Sequence, residues 1–184
     1  GEGALDGLTG LKKLVIQCDP AIIPAGVFAN LPALSDVTIE FGAIPAHMFE
    51  GSGVTVLTLG AGVTEIGDSA FANTALTTAK MQNVTAIGAG AFANTALTSA
   101  EIQNVTAIGA GAFEGSALER VQLNAAASVG ERAFANTKLT KMVIPTAGSF
   151  PLSAVEGTSA ELRLPADATD EQLAAWNETL KRPW

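Results

Sequence analysis

The chain has 184 residues, of which 48% are hydrophobic, and its 18 acidic and 10 basic residues give a net charge of −8. This length suits one domain with a continuous core, and no apolar run is long enough to span a membrane. No basic stripe is visible, so bulk nucleic-acid binding is not expected. A single cysteine, Cys18, excludes an intrachain disulfide. Residues 1–70 contain 8 acids and 2 bases, whereas residues 120–184 contain 7 of each.

The most informative pattern is an internal repeat of about 21 residues, clearest in residues 84–97 and 105–118. One phenylalanine marks each copy, in steps of 21, 22, 21, 21 and 21 residues. A fixed period in this range is typical of a solenoid, in which each repeat stacks on its neighbours. We expect the rings to form a buried spine at Phe28, Phe49, Phe71, Phe92, Phe113 and Phe134.

Each repeat begins with a short run that ends in alternating apolar and variable residues, which predicts a half-buried strand. Eight such runs predict about eight short parallel strands. They are Leu11–Ile16, Leu34–Ile39, Val54–Leu59, Leu76–Met81, Leu97–Ile102, Leu118–Leu123, Leu139–Ile144 and Ser159–Leu164.

The strand is followed by an inward aliphatic residue and then by proline or glycine only. Because proline lacks an N–H, we expect no ladder donor at this position, and we interpret it as the start of a short helical turn. The glycines here are expected for small size, not for positive φ. The position holds Pro24, Pro45, Gly67, Gly88, Gly109, Gly130 and Pro151.

Two residues beyond the phenylalanine, the chain has only asparagine or glycine. These residues tolerate the left-handed conformation that ends a helix, so each repeat is predicted to run from strand to helical turn to left-handed stop. The position holds Asn30, Gly51, Asn73, Asn94, Gly115, Asn136 and Gly157.

The two ends of the chain depart from the period. Thr169 to Gln172 forms a capping box, and apolar residues at helical spacing follow it, which predicts a capping helix within residues 166–184. Both tryptophans, Trp176 and Trp184, lie there. The chain opens in mid-repeat, so we expect a fragment of a longer protein whose open N-terminal edge can pair with another chain. The whole of residues 1–184 is expected to be one domain, with repeats over residues 4–165.

These motifs resemble the BspA-like (Treponema-pallidum-type) leucine-rich repeat family, whose pattern is roughly Ile-Gly-x-x-Ala-Phe followed by a leucine strand that often ends in Ile-Pro. The matching segments are residues 66–71, 87–92, 108–113 and 129–134, with the strand end at 142–145. The family's cysteine after the phenylalanine is replaced here by Thr74, Thr95, Ser116 or Thr137. The resemblance implies a right-handed α/β solenoid, an extracellular or cell-surface bacterial protein, and adhesion to host matrix proteins in several members.

The variable strand positions predict two outward rows of side chains. The first row is Lys13, Asp36, Val56, Thr78, Ser99, Arg120, Lys141 and Glu161, and the second is Val15, Thr38, Thr58, Lys80, Glu101, Gln122, Val143 and Arg163. The candidate ligand-binding residues are seven members of these rows in the middle and C-terminal repeats: Thr78, Lys80, Ser99, Glu101, Arg120, Gln122 and Lys141.

No catalytic, metal or cofactor site is predicted. Cys18 and His47 are the only candidates for a nucleophile–base pair, and they fall at different points of the repeat. Asparagines after glutamine, as at Gln82-Asn83 and Gln103-Asn104, either read a polar ligand or satisfy backbone groups at a corner, and we favour the second interpretation. Glycosylation acceptor patterns at 83–85, 104–106 and 177–179 are interpreted as incidental.

The sequence therefore predicts a non-catalytic module that binds an unknown protein or glycan, with host extracellular matrix among the possible partners. The alternative is a structural spacer with no ligand of its own.

Overall fold

In the computed structural model, which describes residues 8–102, 104–123, 127–144, 150–163, 168–171 and 174, the chain is a stack of coils joined by parallel strands. We number the coils 1 to 8 from the strand that opens each one. The strands are β1 (Lys13–Ile16), β2 (Asp36–Ile44), β3 (Val56–Ile66), β4 (Thr78–Lys80), β5 (Ala86–Ile87), β6 (Ser99–Glu101), β7 (Ala107–Ile108), β8 (Arg120–Val121), β9 (Ser128–Val129), β10 (Lys141–Val143) and β11 (Glu161–Arg163). Within the described ranges, two 3₁₀ segments accompany them, η1 (Pro20–Ile22) and η2 (Leu152–Val155).

The first ladder contains one strand from each coil, in the order β1, β2, β3, β4, β6, β8, β10, β11. Each of its strands lies within or begins in one of the eight predicted ranges, so the predicted stack of parallel strands is confirmed. Equivalent residues face each other across the ladder: Thr78 pairs with Ser99, and Ser99 with Arg120.

A second ladder, which the sequence did not predict, lies around the corner from the first. Strands β2 and β3 are long enough to run through both ladders, with register shifts at the corner between Ile39 and Ala43. From coil 4 onward the strand divides, and the second ladder continues as β5, β7 and β9. Two-residue strands have no detectable alternation, so no sequence pattern marks them.

The predicted phenylalanine spine is confirmed. Phe28, at 8% exposure, and the five fully buried rings after it stack with centroids 5.2–5.6 Å apart and interplanar angles of 5–11°. In coil 7 the place of the ring is taken by Val155, which is also buried. Aliphatic residues of both ladders complete one continuous core, among them Ile44, Ile66, Ile87 and Ile108.

Among the described parts of the repeats, the predicted helical turn forms only in coil 7, as η2; the segment around each phenylalanine is a run of tight turns instead. In coil 4, Ala91 and Ala93 donate their N–H groups to carbonyls three residues back, at Gly88 and Gly90. The alternate residues donate to the next coil instead, as Phe92 does to Ala112 at 2.7 Å. A helix would direct all of these donors along its own axis, whereas here half of them bind coil to coil.

Of the two predictions for the proline-or-glycine position, the structure contradicts one and confirms the other. Gly67, Gly88 and Gly109 all donate their N–H to the preceding coil, at 2.7–2.8 Å, so the expected lack of a ladder donor is wrong wherever glycine is present. The small-size interpretation is confirmed: a Cβ on Gly67 would lie 2.7 Å from the Ile44 oxygen, and none of these glycines has positive φ.

The asparagine-or-glycine position is left-handed in all seven coils, as predicted, with φ between 55° and 71°. Asn94 donates its side-chain amide to the Asn73 oxygen in the preceding coil at 3.1 Å. Each glycine of this column instead follows an asparagine coil; a Cβ on Gly51 would lie 2.6 Å from the side-chain oxygen of Asn30. The asparagine side chain therefore lies over the space that the glycine leaves open.

A buried hydroxyl follows six of these seven residues, all except Asn30. Thr74, Thr95 and Thr137 donate to the carbonyl of the phenylalanine three residues before, at 2.8–2.9 Å, and Ser52 does so at 2.6 Å. Ser116 is different, because its buried hydroxyl has no hydrogen-bond partner among the described residues.

The fold class is thus a parallel β-solenoid, which corrects the predicted α/β class. The described residues contain helix only in η1, in η2 and at residues 170, 171 and 174. Most of the predicted capping helix, with Trp176 and Trp184, lies outside the described residues.

We predict that Phe92→Ala lowers the free energy of unfolding by about 3–5 kcal/mol, because it removes a fully buried ring stacked on both sides. Urea unfolding measures this change, with the exposed Thr78→Ala as the control. A Phe92→Ala protein as stable as the parent would contradict a spine that holds the coils together.

We also predict that Thr95→Val lowers stability by about 1 kcal/mol, since it leaves the Phe92 carbonyl without the hydroxyl that it accepts from. Ser116→Ala should change stability little or raise it, because its hydroxyl is buried without a partner. Parallel urea melts of the two variants test the contrast, and equal losses would show that the hydroxyl bond contributes nothing.

Candidate functional site

The first-ladder strands present one side-chain row to the core and two to solvent. Met142, for example, is 2% exposed, whereas Lys141 and Val143 on either side of it are exposed. The first outward row is in continuous register from Lys13 to Glu161. Both rows therefore form one surface, which we call the strand face.

All seven candidate ligand-binding residues are exposed on the strand face. Register brings Thr78, Ser99, Arg120 and Lys141 side by side in one column, and it places Lys80 against Glu101 in the other. The candidates thus form a connected surface, although they do not all line the same depression.

A shallow groove crosses the C-terminal end of the strand face, and we call it the C-terminal groove. It extends over four neighbouring strands, from β6 to β11, and contains three cations and one carboxylate. Its lining residues are Ser99, Ala100, Arg120, Val121, Gln122, Lys141, Met142, Val143, Glu161 and Arg163. Four of the candidates line it, together with three members of the rows that were left out of the candidate set: Val143, Glu161 and Arg163. The 21-residue repeat could have identified these three, since they lie in the same two outward rows as the candidates.

The charges in the C-terminal groove are not matched in pairs. Arg120 and Lys141 are direct cross-strand partners, so two cations face each other on adjacent strands. Lys141 Nζ lies 3.6 Å from Glu161, but both side chains are at least 75% exposed, so this ion pair is weak. Among the described residues, no carboxylate lies within ion-pairing distance of Arg120 or Arg163.

A second depression, the corner notch, lies between coils 3 and 4. The pairing of β3 with coil 4 stops at Leu57 and resumes at Glu65, because β3 is continuous while coil 4 breaks into β4 and β5. Lys80 belongs to this notch, which is lined by residues 57–61, 63 and 80–84. Thr78 and Glu101 line neither depression.

The other residues considered for chemistry remain apart from both depressions. Cys18 is exposed, and His47 Nδ1 lies 2.7 Å from Glu50 Oε2 on the turn side of coil 2. No group of three potential metal ligands occurs within the part of the chain that the structure describes.

One corner asparagine, Asn104, behaves as the favoured interpretation predicts. Asn104 donates its side-chain amide to the Gln82 carbonyl at 2.5 Å, which joins two coils at the corner. The acceptor patterns at 83–85 and 104–106 are exposed at their asparagine and threonine. Gln103 and residues 177–179 lie outside the described residues.

Sequence reasoning missed one ionic cluster on the turn side. Arg132, with φ of 57°, binds Glu114 through two nitrogens at 2.6 and 3.3 Å and Glu156 at 2.5 Å, so it ties three successive coils together. The hydrogen bond from Arg132 to Glu114 and the charge of that carboxylate raise the pKa of Arg132. Arg132 thus contacts two carboxylates of neighbouring coils, whereas Arg120 and Arg163 contact none among the described residues.

Comparison with known protein families agrees with the geometry. The family model described as BspA type leucine rich repeat region matches six copies over residues 42–155, which is more than half of the chain. No curated protein matches the chain. Within the described residues, no helix has both the length and the apolar character to cross a bilayer. Leucine-rich repeats are generally non-enzymatic binding scaffolds that serve protein interaction. The chain belongs to the BspA-type leucine-rich repeat family.

Proposed function

We propose that the chain is a non-catalytic interaction module whose strand face binds a protein or glycan partner. The observation that carries this proposal is the C-terminal groove, a depression lined by Arg120 and Arg163, which have no carboxylate partner among the described residues, and by Lys141, whose contact with Glu161 is weak. The contacts of the strand face with the partner would come from the candidate residues Thr78, Lys80, Ser99, Glu101, Arg120, Gln122 and Lys141.

The separation of repeated core positions from variable surface positions supports this proposal. Repeated positions hold the rings, aliphatic side chains and hydroxyls of the core, and they leave the two outward rows free to vary. A rigid surface that presents variable side chains loses little conformational entropy on binding. Arginine is also among the residues that most often dominate binding energy.

We further propose, from the family resemblance, that this module acts on a bacterial cell surface or in a secreted protein and contributes to adhesion, including adhesion to host matrix. The repeats and their C-terminal cap would act as one domain. Self-association through the N-terminal edge fits this proposal, since β1 pairs only with β2 among the described strands.

A structural spacer is the second candidate. It is favoured by the middle of the strand face, where Thr78 and Ser99 are short polar side chains that any solvated solenoid can carry. A spacer needs stability and length but no groove. Substitutions in the groove should therefore abolish binding by an interaction module and leave a spacer unaffected.

We predict that the double variant Arg120→Glu/Lys141→Glu loses binding to the partners that the parent protein retains on an array of matrix proteins and glycans. The matched control is Lys12→Glu/Lys138→Glu, which changes the net charge equally at exposed lysines outside the groove. Binding by the parent and the control but not by the groove variant is expected. A parent protein that binds nothing on the array would favour the spacer.

A further inference from the structure

We propose that the C-terminal groove recognises an extended acidic segment of a partner protein, whose carboxylates are held by Arg120, Lys141 and Arg163. This inference rests on the proposed interaction function and narrows it to one ligand chemistry at one place on the strand face.

The first argument is the local charge. The whole chain carries a net charge of −8, yet the C-terminal groove contains three cations and only Glu161 as an anion. The nearest acid of the rows toward the N-terminus, Glu101, does not line the groove. A local positive field attracts anions, whereas the net charge of −8 opposes the approach of a second copy of the whole chain.

The second argument is the cost of the arrangement. Like charges directly opposite each other on adjacent strands destabilise a sheet, and Arg120 and Lys141 stand in that relation about 4.8 Å apart at the backbone. The same column holds neutral Thr78 and Ser99 in coils 4 and 5. At the other end of the column, Lys13 faces Asp36 at 3.0 Å. Elsewhere the column is therefore neutral or closely paired, whereas in the groove Arg120 has no carboxylate partner among the described residues and Lys141 has only the exposed contact with Glu161 at 3.6 Å. A bound carboxylate would neutralise Arg120 and Lys141 together.

The third argument is the geometry of the donors. Guanidinium groups bind carboxylates through two parallel hydrogen bonds, and both arginines of the groove lack a carboxylate partner among the described residues. Arg163 lies one strand and two residues from Lys141, since its direct partner is Val143. The backbones of Lys141 and Arg163 are therefore about 8 Å apart on the diagonal, and their long side chains can converge on the same-side carboxylates of an extended peptide, which are about 6.7 Å apart.

The floor of the groove favours a polypeptide over a sugar. Val143 is 56% exposed, and half-buried Val121 lies nearby, so apolar side chains of a peptide have a surface to contact. Sugar rings are commonly bound by stacking on aromatic side chains, and neither outward row contains one.

The test uses fluorescence anisotropy with a labelled hexapeptide of alternating glutamate and valine, at low and moderate salt. We expect the parent protein to bind it, and Arg120→Ser to weaken binding at least tenfold while Lys138→Ser does not. Binding should also weaken as salt screens the charges. The matched peptide of alternating glutamine and valine should bind at least tenfold more weakly than the acidic one.

A thermal melt separates recognition from a structural role of Arg120. Because serine already occupies this column at Ser99, Arg120→Ser should melt at the same temperature as the parent or higher at low salt. A variant that melts lower and binds less would assign Arg120 to the fold and overturn the proposal.

Three further outcomes would overturn the proposal. They are equal binding of the glutamine peptide, binding of a polyuronate but not of the acidic peptide, and concentration-dependent dimerisation that Arg120→Glu abolishes without any peptide binding. If array partners still bind through the groove but the acidic peptide does not compete with them, this inference fails while the proposed interaction function stands.

Discussion

In-register stacking is the constraint on which the rest of this structure depends. Each residue lies against its equivalent about one strand spacing away, so every column must be filled by side chains that tolerate copies of themselves. Benzene rings satisfy this condition at 5.2–5.6 Å, and so do aliphatic side chains, hydroxyls that bind their own turn, and amides that bind the next amide. The turns also contribute, because alternate N–H groups reach the next coil.

The same constraint explains what the sequence could reveal. The ring spine and the left-handed position were predictable because one residue type, or two with one shared property, recur throughout a column. A second column, two residues before each phenylalanine, is also left-handed. It was not predictable, because its members include His47, Ser69 and Arg132, which share no side-chain chemistry. At the proline-or-glycine position, the two residue types indicated close backbone packing, but they did not indicate which carbonyl each glycine N–H binds. The outward rows followed from alternation, whereas the groove depends on where the strands end.

Charge is the property that stacking tolerates least, and the chain handles it in two ways. On the turn side, Arg132 lies between Glu114 and Glu156, so the sign alternates from coil to coil and the pairing closes within the fold. On the strand face, Arg120 and Lys141 repeat the same sign in adjacent coils. The first arrangement pairs its charges within the solenoid, whereas the second leaves Arg120 without a carboxylate partner among the described residues.

The asparagine-and-glycine column limits the order in which coils can be joined. A glycine coil fits after an asparagine coil because the amide covers the bare backbone, and two asparagine coils fit when their amides bond, as Asn73 and Asn94 do. Within the seven coils, no glycine coil follows another. Duplication or removal of a coil during evolution, or by an engineer who lengthens the array, therefore creates a junction whose fit can be judged from one residue on each side. The repeats are interchangeable in shape but not in sequence order.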